Sequence, residues 1–435
     1  MKQNAFKTAS LGIQHVLAMY AGAVIVPLIV GGSLGLTAEQ LTYLVSIDIL
    51  MCGVATILQV WKNKFFGIGL PVVLGCTFTA VGPMIAIGSQ YGISAVYGSI
   101  LVSGVVVLLI STAFGKLVKF FPPVVTGSVV TIIGITLIPV AMNDMAGGQG
   151  SADFGSISNL LFAFGTLLFI LALYRFAKGF VRSIAILLGL LVGTAVSAFM
   201  GHVDFSAVSD ASWFHMATPF YFGKPTFEIS AILTMTLVAI VSLVESSGVY
   251  FALGDITGRK ITEKDLSNGY RAEGLAILLG GLFNAFPYTT YSQNVGLVQL
   301  SGVKRNSVIY VAGAFLILIG FVPKIGAFTT VIPTPVLGGA SLAMFGMVIS
   351  YGIKMLSKVD FSSQENLLIM ACAIGMGLGV TTVPTLFANL PKGLQILTSN
   401  GIVIGSLTAI LLNIVFNIVP QRKKETRVFV EKQAS

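Results

Sequence analysis

Long apolar segments, separated by short polar stretches, follow one another along almost the whole chain. Most of them approach the ~20 residues that a helix needs to cross a bilayer. The third and the tenth are irregular, because prolines, glycines and polar residues interrupt them. The pattern predicts an all-α integral membrane protein with fourteen transmembrane segments, of which segments 3 and 10 are broken. The segments lie near residues 10–32, 41–61, 65–88, 92–115, 120–141, 156–175, 181–201, 230–252, 270–286, 287–301, 308–324, 330–352, 366–388 and 398–420.

The stretch Asn284–Gly302 is the most unusual interruption; it reads NAFPYTTYSQNVGLVQLSG. Backbone at membrane depth has no water to bond, so a Pro- and Gly-interrupted run is tolerated only where it lines a cavity inside the protein. Broken segments of this kind mark the binding sites of many transporters. We therefore expect the substrate site here.

Composition and charge agree with a membrane protein. Of the 435 residues 55% are hydrophobic and 9% charged, and the mean hydropathy is +0.93; a soluble domain carries about 25% charged residues. With fourteen segments, 22 of the 25 Lys and Arg residues fall on the side of the two termini, and only Lys224, Lys324 and Lys392 fall opposite. Cytoplasmic loops carry the excess of Lys and Arg, so both termini are expected in the cytoplasm. The net charge of +9 then reflects topology and not a nucleic-acid partner.

Two short sequence matches between the halves of the chain indicate an internal repeat of seven segments. Phe121–Gly127 with Gly134 resembles Thr334–Gly339 with Gly346, at an offset of 212 residues. Leu70-Pro71 resembles Phe286-Pro287 at an offset of 216, which pairs segment 3 with segment 10. An odd number of segments inserts the second copy upside down, so the chain is predicted to hold two inverted repeats.

Three acidic residues lie inside or at the start of apolar segments. Glu245 lies well inside segment 8, where a charged side chain costs about 3 kcal/mol and generally faces a polar cavity or a partner. We interpret it as a substrate anchor or a proton acceptor, with neutralisation by a neighbouring helix as the alternative. Glu273, at the start of segment 9, is either a proton-coupling group or a carboxylate favoured by the helix dipole. Asp48, in segment 2, has no partner that the sequence identifies.

Neutral polar and aromatic residues at the broken segments complete the candidate site. Gln293 and Asn294 offer amide donors and acceptors to a planar ligand, or they cap the short helix that follows. In segment 3, Thr77 could donate a hydrogen bond and Phe78 could stack on a flat ring or simply pack. His15, in segment 1, is expected to be a buried histidine that orients its neighbours.

At these residues the chain resembles the nucleobase–ascorbate transporter family (nucleobase:cation symporter 2), and within it the bacterial xanthine and uric acid permeases. The family signature is Gln, Glu or Pro, then Asn, any residue, Gly, four residues, Thr, and Arg, Lys or Gly. Here it reads Gln293-Asn294-Val295-Gly296-Leu-Val-Gln-Leu-Ser301-Gly302, with Ser301 in place of Thr. A second departure is Val249, where many relatives carry a polar or ionisable residue.

The resemblance implies a core domain formed by segments 1–4 (1–115) and 8–11 (230–325). It implies a gate domain formed by segments 5–7 (116–229) and 12–14 (326–421), followed by a cytoplasmic tail (422–435). It further implies homodimers in the bacterial cytoplasmic membrane and proton-coupled uptake, with H⁺ as the coupling ion and no cofactor or metal. By the same resemblance Glu245 binds the purine, while Glu273 and His15 support coupling.

The hypothesis is a proton symporter for xanthine, because Gln at the first signature position is usual in carriers of oxidised purines. The alternatives are a uric acid permease or another nucleobase symporter, of the uracil or guanine type, on the same fold. An intramembrane hydrolase is disfavoured, since the chain has no HExxH and no clustered histidines. An inorganic-anion carrier or channel is a third class; it should favour a cationic site over Glu245 and two amides.

Overall fold

The computed structural model describes residues 5–117 and 121–419, and it is mostly helical. The predicted tail at 422–435 lies outside the described residues. The helices are α1 (Ala5–Ser33), α2 (Ala38–Val60), α3 (Val81–Tyr91), α4 (Ile93–Leu117), α5 (Pro123–Met145), α6 (Ile157–Phe176), α7 (Gly179–Ser183), α8 (Ala185–Phe199), α9 (Ser206–Asp210), α10 (Ile229–Thr257), α11 (Glu263–Phe283), α12 (Ser292–Ser301), α13 (Asn306–Gly320), α14 (Pro323–Thr330), α15 (Thr334–Leu356), α16 (Gln364–Thr382), α17 (Lys392–Thr398) and α18 (Gly401–Asn413). Two short strands, β1 (Leu74–Cys76) and β2 (Tyr288–Thr290), 3-10 turns at Phe78–Ala80 and Pro384–Phe387, and a π-helical turn at Ile414–Ile418 complete the described elements.

By length and composition, nine helices among the described residues can cross a membrane. The number becomes ten if α13 and α14, which meet at a bend of 79°, form one span. The fold class predicted from the hydropathy pattern is therefore confirmed as a mostly helical membrane protein. The count of fourteen spans stays a prediction.

The elements recur in the same order in the two halves of the chain. Helices α1 and α10 have 29 residues each, and α5 and α15 have 23 each. Between them, a strand and a short helix replace a continuous span in both halves, β1 with α3 and β2 with α12. The predicted breaks in segments 3 and 10 are thus confirmed.

Strands β1 and β2 form an antiparallel pair in which Leu74 lies opposite Thr290, and Cys76 opposite Tyr288. Leu74 and Thr290 are 216 residues apart, the offset of the sequence match between segments 3 and 10. A two-fold axis between inverted repeats must place equivalent residues opposite one another, and this register does so. The pairing therefore supports the inverted repeat.

Contacts divide the chain into two compact units. Of the described residues, 5–115 and 137–345 belong to unit 1, and 116–117, 121–136 and 346–419 belong to unit 2. Within unit 1, α2 is buried continuously from Thr42 to Gly53, as expected of a helix that is apolar all round. The predicted core and gate boundaries at 115, 229 and 325 stay predictions.

A charged cluster in unit 1 ties the end of α2 to the start of α11. Lys62 lies 2.9 Å from the Asp265 carboxylate, which also pairs with Arg259 and closes a capping box with Thr262. Partial burial alone would raise the pKa of Asp265. Hydrogen bonds from Lys62 and Thr262 and the charge of Arg259 lower that pKa to about 2.

We expect Asp265→Asn to lower the thermal unfolding temperature at pH 7, because the amide cannot pair with either cation. The folded pKa lies below the ordinary value of about 3.9. The stabilisation is therefore fully present above pH 4 and is lost as the pH falls through about 2. Melting curves of the purified protein at pH 7 and at low pH measure the effect, and the difference between wild type and variant should shrink in acid. Asp255→Asn, at an exposed position near the end of α10, is the control.

The Tyr291 ring is held between glycines of α1 and β1. A Cβ added at Gly22 would lie 2.6 Å from the Tyr291 ring, and one added at Gly75 would lie 2.2 Å from it. The Tyr291 hydroxyl donates to the carbonyl of Cys76 at 3.1 Å. Neither glycine can carry a side chain unless the buried ring moves.

We expect Gly22→Ala to destabilise the protein by about 1–3 kcal/mol, the usual cost of overpacking a filled interior. Gly32→Ala in the same helix has open space around it and should leave stability unchanged or slightly higher. The melting temperatures of the two purified variants measure this difference. Equal melting temperatures would show that Tyr291 moves aside without cost.

Candidate substrate site

The site is built where helix α10 runs past both broken segments. Residues three and four apart share one face of a helix, and α10 presents Ser242, Glu245 and Ser246 on such a face. Ser242 Oγ lies 3.4 Å from Thr77 Oγ1, and Ser246 Oγ lies 3.2 Å from Thr289 Oγ1. One polar face of α10 therefore contacts segment 3 and segment 10 together.

Backbone groups of the broken segments find partners among each other and among nearby side chains. Beyond the ladder, Thr77 N donates to Pro287 O at 2.9 Å, and Tyr291 N donates to Val73 O at 3.0 Å. Leu74 N donates to the Thr56 hydroxyl at 3.0 Å, and Thr290 N to the Ser246 hydroxyl at 3.3 Å. This satisfies the requirement that irregular backbone at membrane depth be bonded within the protein.

Three of the predicted site residues are half-buried and retain binding capacity: Glu245, Gln293 and Phe78. Glu245 accepts one long hydrogen bond, from Thr79 Oγ1 at 3.5 Å. Within the described residues the Gln293 side chain makes no hydrogen bond. The Phe78 ring centroid lies 6.5 Å from that of Tyr291 and 5.7 Å from that of Phe345. A carboxylate, an amide and a ring are thus available at the broken segments.

The predicted residues Asn294 and His15 are buried together. The Asn294 amide lies 3.0 Å from His15 Nδ1 and donates to the His15 carbonyl, also at 3.0 Å. Asn294 is 1% exposed and His15 3%. The contact joins α12 to α1, as expected of a histidine that orients its neighbours. Thr77 is also fully buried, and its hydroxyl accepts from Thr79 N.

Glu273 lies in a separate buried network with Tyr250 and Gln59. The Tyr250 hydroxyl donates to Glu273 Oε1, and Gln59 Nε2 lies 3.4 Å from the same oxygen. Gln59 Nε2 also donates to Tyr250 Oη and, at 3.1 Å, to Gly269 O. Glu273 Oε1 is thus bonded to α10 and α2, while Oε2 has no hydrogen-bond partner among the described residues. Glu273 is fully buried, so its carboxyl is not exposed to a ligand.

Sequence reasoning missed Thr79 and Ser246 at the candidate site, and Gln59 and Tyr250 in the separate Glu273 network. Gln59 carried a usable signal, because an amide inside an apolar segment needs a partner. Tyr250 carried none, since a tyrosine in such a segment is common. Thr79 directly follows Phe78 and Ser246 directly follows Glu245 in the sequence. Only the packing of α10 on the broken segments shows that they take part.

A cavity of about 600 Å³ lies elsewhere in unit 1, near the start of α2. Its lining includes Tyr43, Ser46, Asp210 and His215 but none of the predicted site residues. Among the described residues, no group of three His, Cys, Asp or Glu side chains is placed to hold a metal ion.

Comparison with known proteins places this chain in a family. Residues 6–386 match the model of Xan_ur_permease, described as "Permease family". The chain belongs to this family, the nucleobase–ascorbate transporters. Membership identifies it as a multi-pass membrane transporter and not an enzyme.

Relatives match over almost the full length of the chain. A protein named "Xanthine permease" from Bacillus subtilis (strain 168) is 69% identical over 98% of this chain and 97% of its own. One named "Uric acid permease PucK" from the same organism is 66% identical over 95% of this chain and 96% of its own. At 44% identity, "Uric acid transporter UacT" from Escherichia coli (strain K12) covers 94% of this chain and 86% of its own.

Solved structures show the same fold at low sequence identity. The transmembrane domain of the cyanobacterial bicarbonate transporter BicA superposes with a TM-score of 0.65 at 15% identity, over 88% of this chain and 98% of that one. The anion transporter SLC26A9 superposes with a TM-score of 0.60 at 13% identity, over 95% of this chain and 66% of that one. These likenesses concern the fold alone.

Gln293 and Asn294 are adjacent amides, of which the first makes no hydrogen bond among the described residues and the second is bonded to His15. Alanine variants of the two test whether this difference separates ligand binding from stability. We expect Gln293→Ala to weaken purine binding while the melting temperature stays unchanged. Asn294→Ala should lower the stability by about 1–3 kcal/mol, because it leaves buried polar groups of His15 without a partner. Melting curves with and without added xanthine separate the two effects. If both variants lost the same stability, Gln293 would be a structural residue as well.

Proposed function

We propose that this chain carries xanthine across the bacterial cytoplasmic membrane together with protons. The observation that carries the proposal is that Glu245, Gln293 and Phe78 are half-buried on the broken segments and on the helix facing them. A carboxylate accepts N–H groups, a primary amide both donates and accepts, and an aromatic ring covers a flat face. An oxidised purine offers N–H and C=O groups along its edges and two flat faces.

The names of the relatives support the same substrate class. The 69% identical relative is named a xanthine permease, and the 66% identical one a uric acid permease. We take xanthine first and uric acid second. Both ligands present N–H and C=O groups that Glu245 and Gln293 can bind.

For coupling, Glu245 is the proposed site of both substrate binding and protonation. Within the part of the chain that the structure describes, its one hydrogen bond is long, so the carboxylate can accept a proton or a substrate N–H without breaking a strong contact. Glu273 and His15 are assigned supporting roles: Glu273 accepts from Tyr250 of α10, the helix that carries Glu245, and His15 contacts Asn294, the neighbour of Gln293. Thr77 holds the start of the short helical turn that carries Phe78.

The proposal includes two cytoplasmic termini, a homodimer and no cofactor besides the coupled proton. The distribution of Lys and Arg supports the orientation, and family resemblance supports the dimer and the proton.

Uptake of radiolabelled xanthine into bacteria that lack their own purine carriers tests the function. We expect uptake that collapses with a protonophore and that unlabelled uric acid inhibits better than uracil or guanine. Absence of uptake, or inhibition by uracil alone, would contradict the proposed substrate.

The same assay tests the site with two variants of one helix. Glu245→Ala should reduce uptake by about tenfold or more, because a hydrogen bond to a charged group contributes about 1.5–3 kcal/mol. Glu228→Gln, at an exposed position at the start of α10, should transport as wild type does. Uptake that survives Glu245→Ala would remove Glu245 from the site.

A further inference from the structure

Asp48 of α2 is a buried carboxylate without a part in the function proposed above. It is fully buried. Its Oδ1 accepts a hydrogen bond of 2.6 Å from the backbone N–H of Phe286. A buried polar group is expected to be hydrogen-bonded, and for Asp48 the partner is a backbone N–H at an irregular stretch, so the contact with Phe286 needs an explanation.

The contact falls directly at the break of segment 10. Pro287 follows Phe286 and has no N–H to donate, and its carbonyl accepts from Thr77 N at 2.9 Å. The backbone is therefore held on one side of the proline by a side chain of α2 and on the other by segment 3. From this fixed point the chain continues through β2 to the start of α12, where Gln293 stands.

Two buried tyrosines, Tyr97 and Tyr288, pack around Phe286 and the strand that follows it. The Tyr97 ring stacks on the Phe286 ring, with 6.2 Å between centroids, and the Tyr288 ring packs against Gly280. Within the described residues, neither tyrosine hydroxyl nor Asp48 Oδ2 has a hydrogen-bond partner.

We propose that Asp48 is a positioning residue for transport, which fixes the peptide at the break through its Oδ1. The acceptor oxygen is the group that this role requires. The role does not require a negative charge, because an amide oxygen in the same place accepts from Phe286 N equally well. Asp48 then sets the position of Gln293 and does not carry the coupled proton.

Three variants test this role: Asp48→Asn, Asp48→Ala and, as a control in the same helix, the exposed Glu39→Gln. Initial rates of xanthine uptake, with carrier in the membrane quantified, give KM and the maximal rate per carrier. We expect Asp48→Ala to raise KM by about tenfold, the effect of one lost buried hydrogen bond, with a smaller change in maximal rate. Asp48→Asn should keep KM near the wild-type value and keep full protonophore sensitivity.

The uptake measurement rests on the proposed function. We therefore add a second measurement that does not depend on the substrate. Hydrogen–deuterium exchange of the purified protein reports the protection of the peptide covering residues 284–291. We expect faster exchange there in Asp48→Ala and wild-type protection in Asp48→Asn and Glu39→Gln. If the wild type transports no purine, the proposed function fails while the exchange result still decides the role of Asp48.

Loss of uptake or of protonophore sensitivity in Asp48→Asn, with protection at 284–291 retained, would overturn the proposal and make Asp48 an ionisable transport residue. Unchanged KM and unchanged exchange in Asp48→Ala would overturn it as well. The Asn variant decides the question even if the Ala variant is not inserted into the membrane.

Discussion

Hydrogen bonding of the two broken segments is the constraint on which the rest of unit 1 depends. A helix satisfies its own backbone, whereas β1 and β2 are three residues each and must find partners outside themselves. They find them in each other and in side chains of α2 and α10: Thr56, Asp48 and Ser246. The first role of these polar residues in apolar helices is therefore to accept hydrogen bonds from the irregular backbone.

Helix α2 shows how one element serves several sites. Asp48, Thr56 and Gln59 recur at spacings of eight and three residues, which places them along one face of the helix. In order they contact the break of segment 10, strand β1 and the Glu273 network. The two acidic side chains buried in unit 1 near the site, Asp48 and Glu273, are thus connected through a single helix.

Much of this arrangement could be predicted from the sequence, and the reason is physical. Apolar segments of bilayer length and interruptions by proline and glycine are local patterns, so the helical membrane fold and the breaks in segments 3 and 10 were predictable. The family signature located Gln293 and Asn294. The sequence could not tell that Gln293 stays available while Asn294 binds His15, because the two amides are adjacent and chemically alike. That difference comes from a contact across 279 residues, as does the partner of Asp48 across 238.

The register of β1 and β2 has a consequence for how a ligand is oriented. Equivalent positions of the two halves face one another across the pair at Leu74 and Thr290, so the backbone frame there is close to two-fold symmetric. The side chains that follow are not: one half continues with a threonine and a phenylalanine, and the other with a glutamine and an asparagine. In the proposed site, a flat molecule within this symmetric frame would meet the Phe78 ring on one side and the Gln293 amide at its edge. Duplication followed by divergence would in this way turn two equivalent half-sites into a single polar pocket with a defined direction.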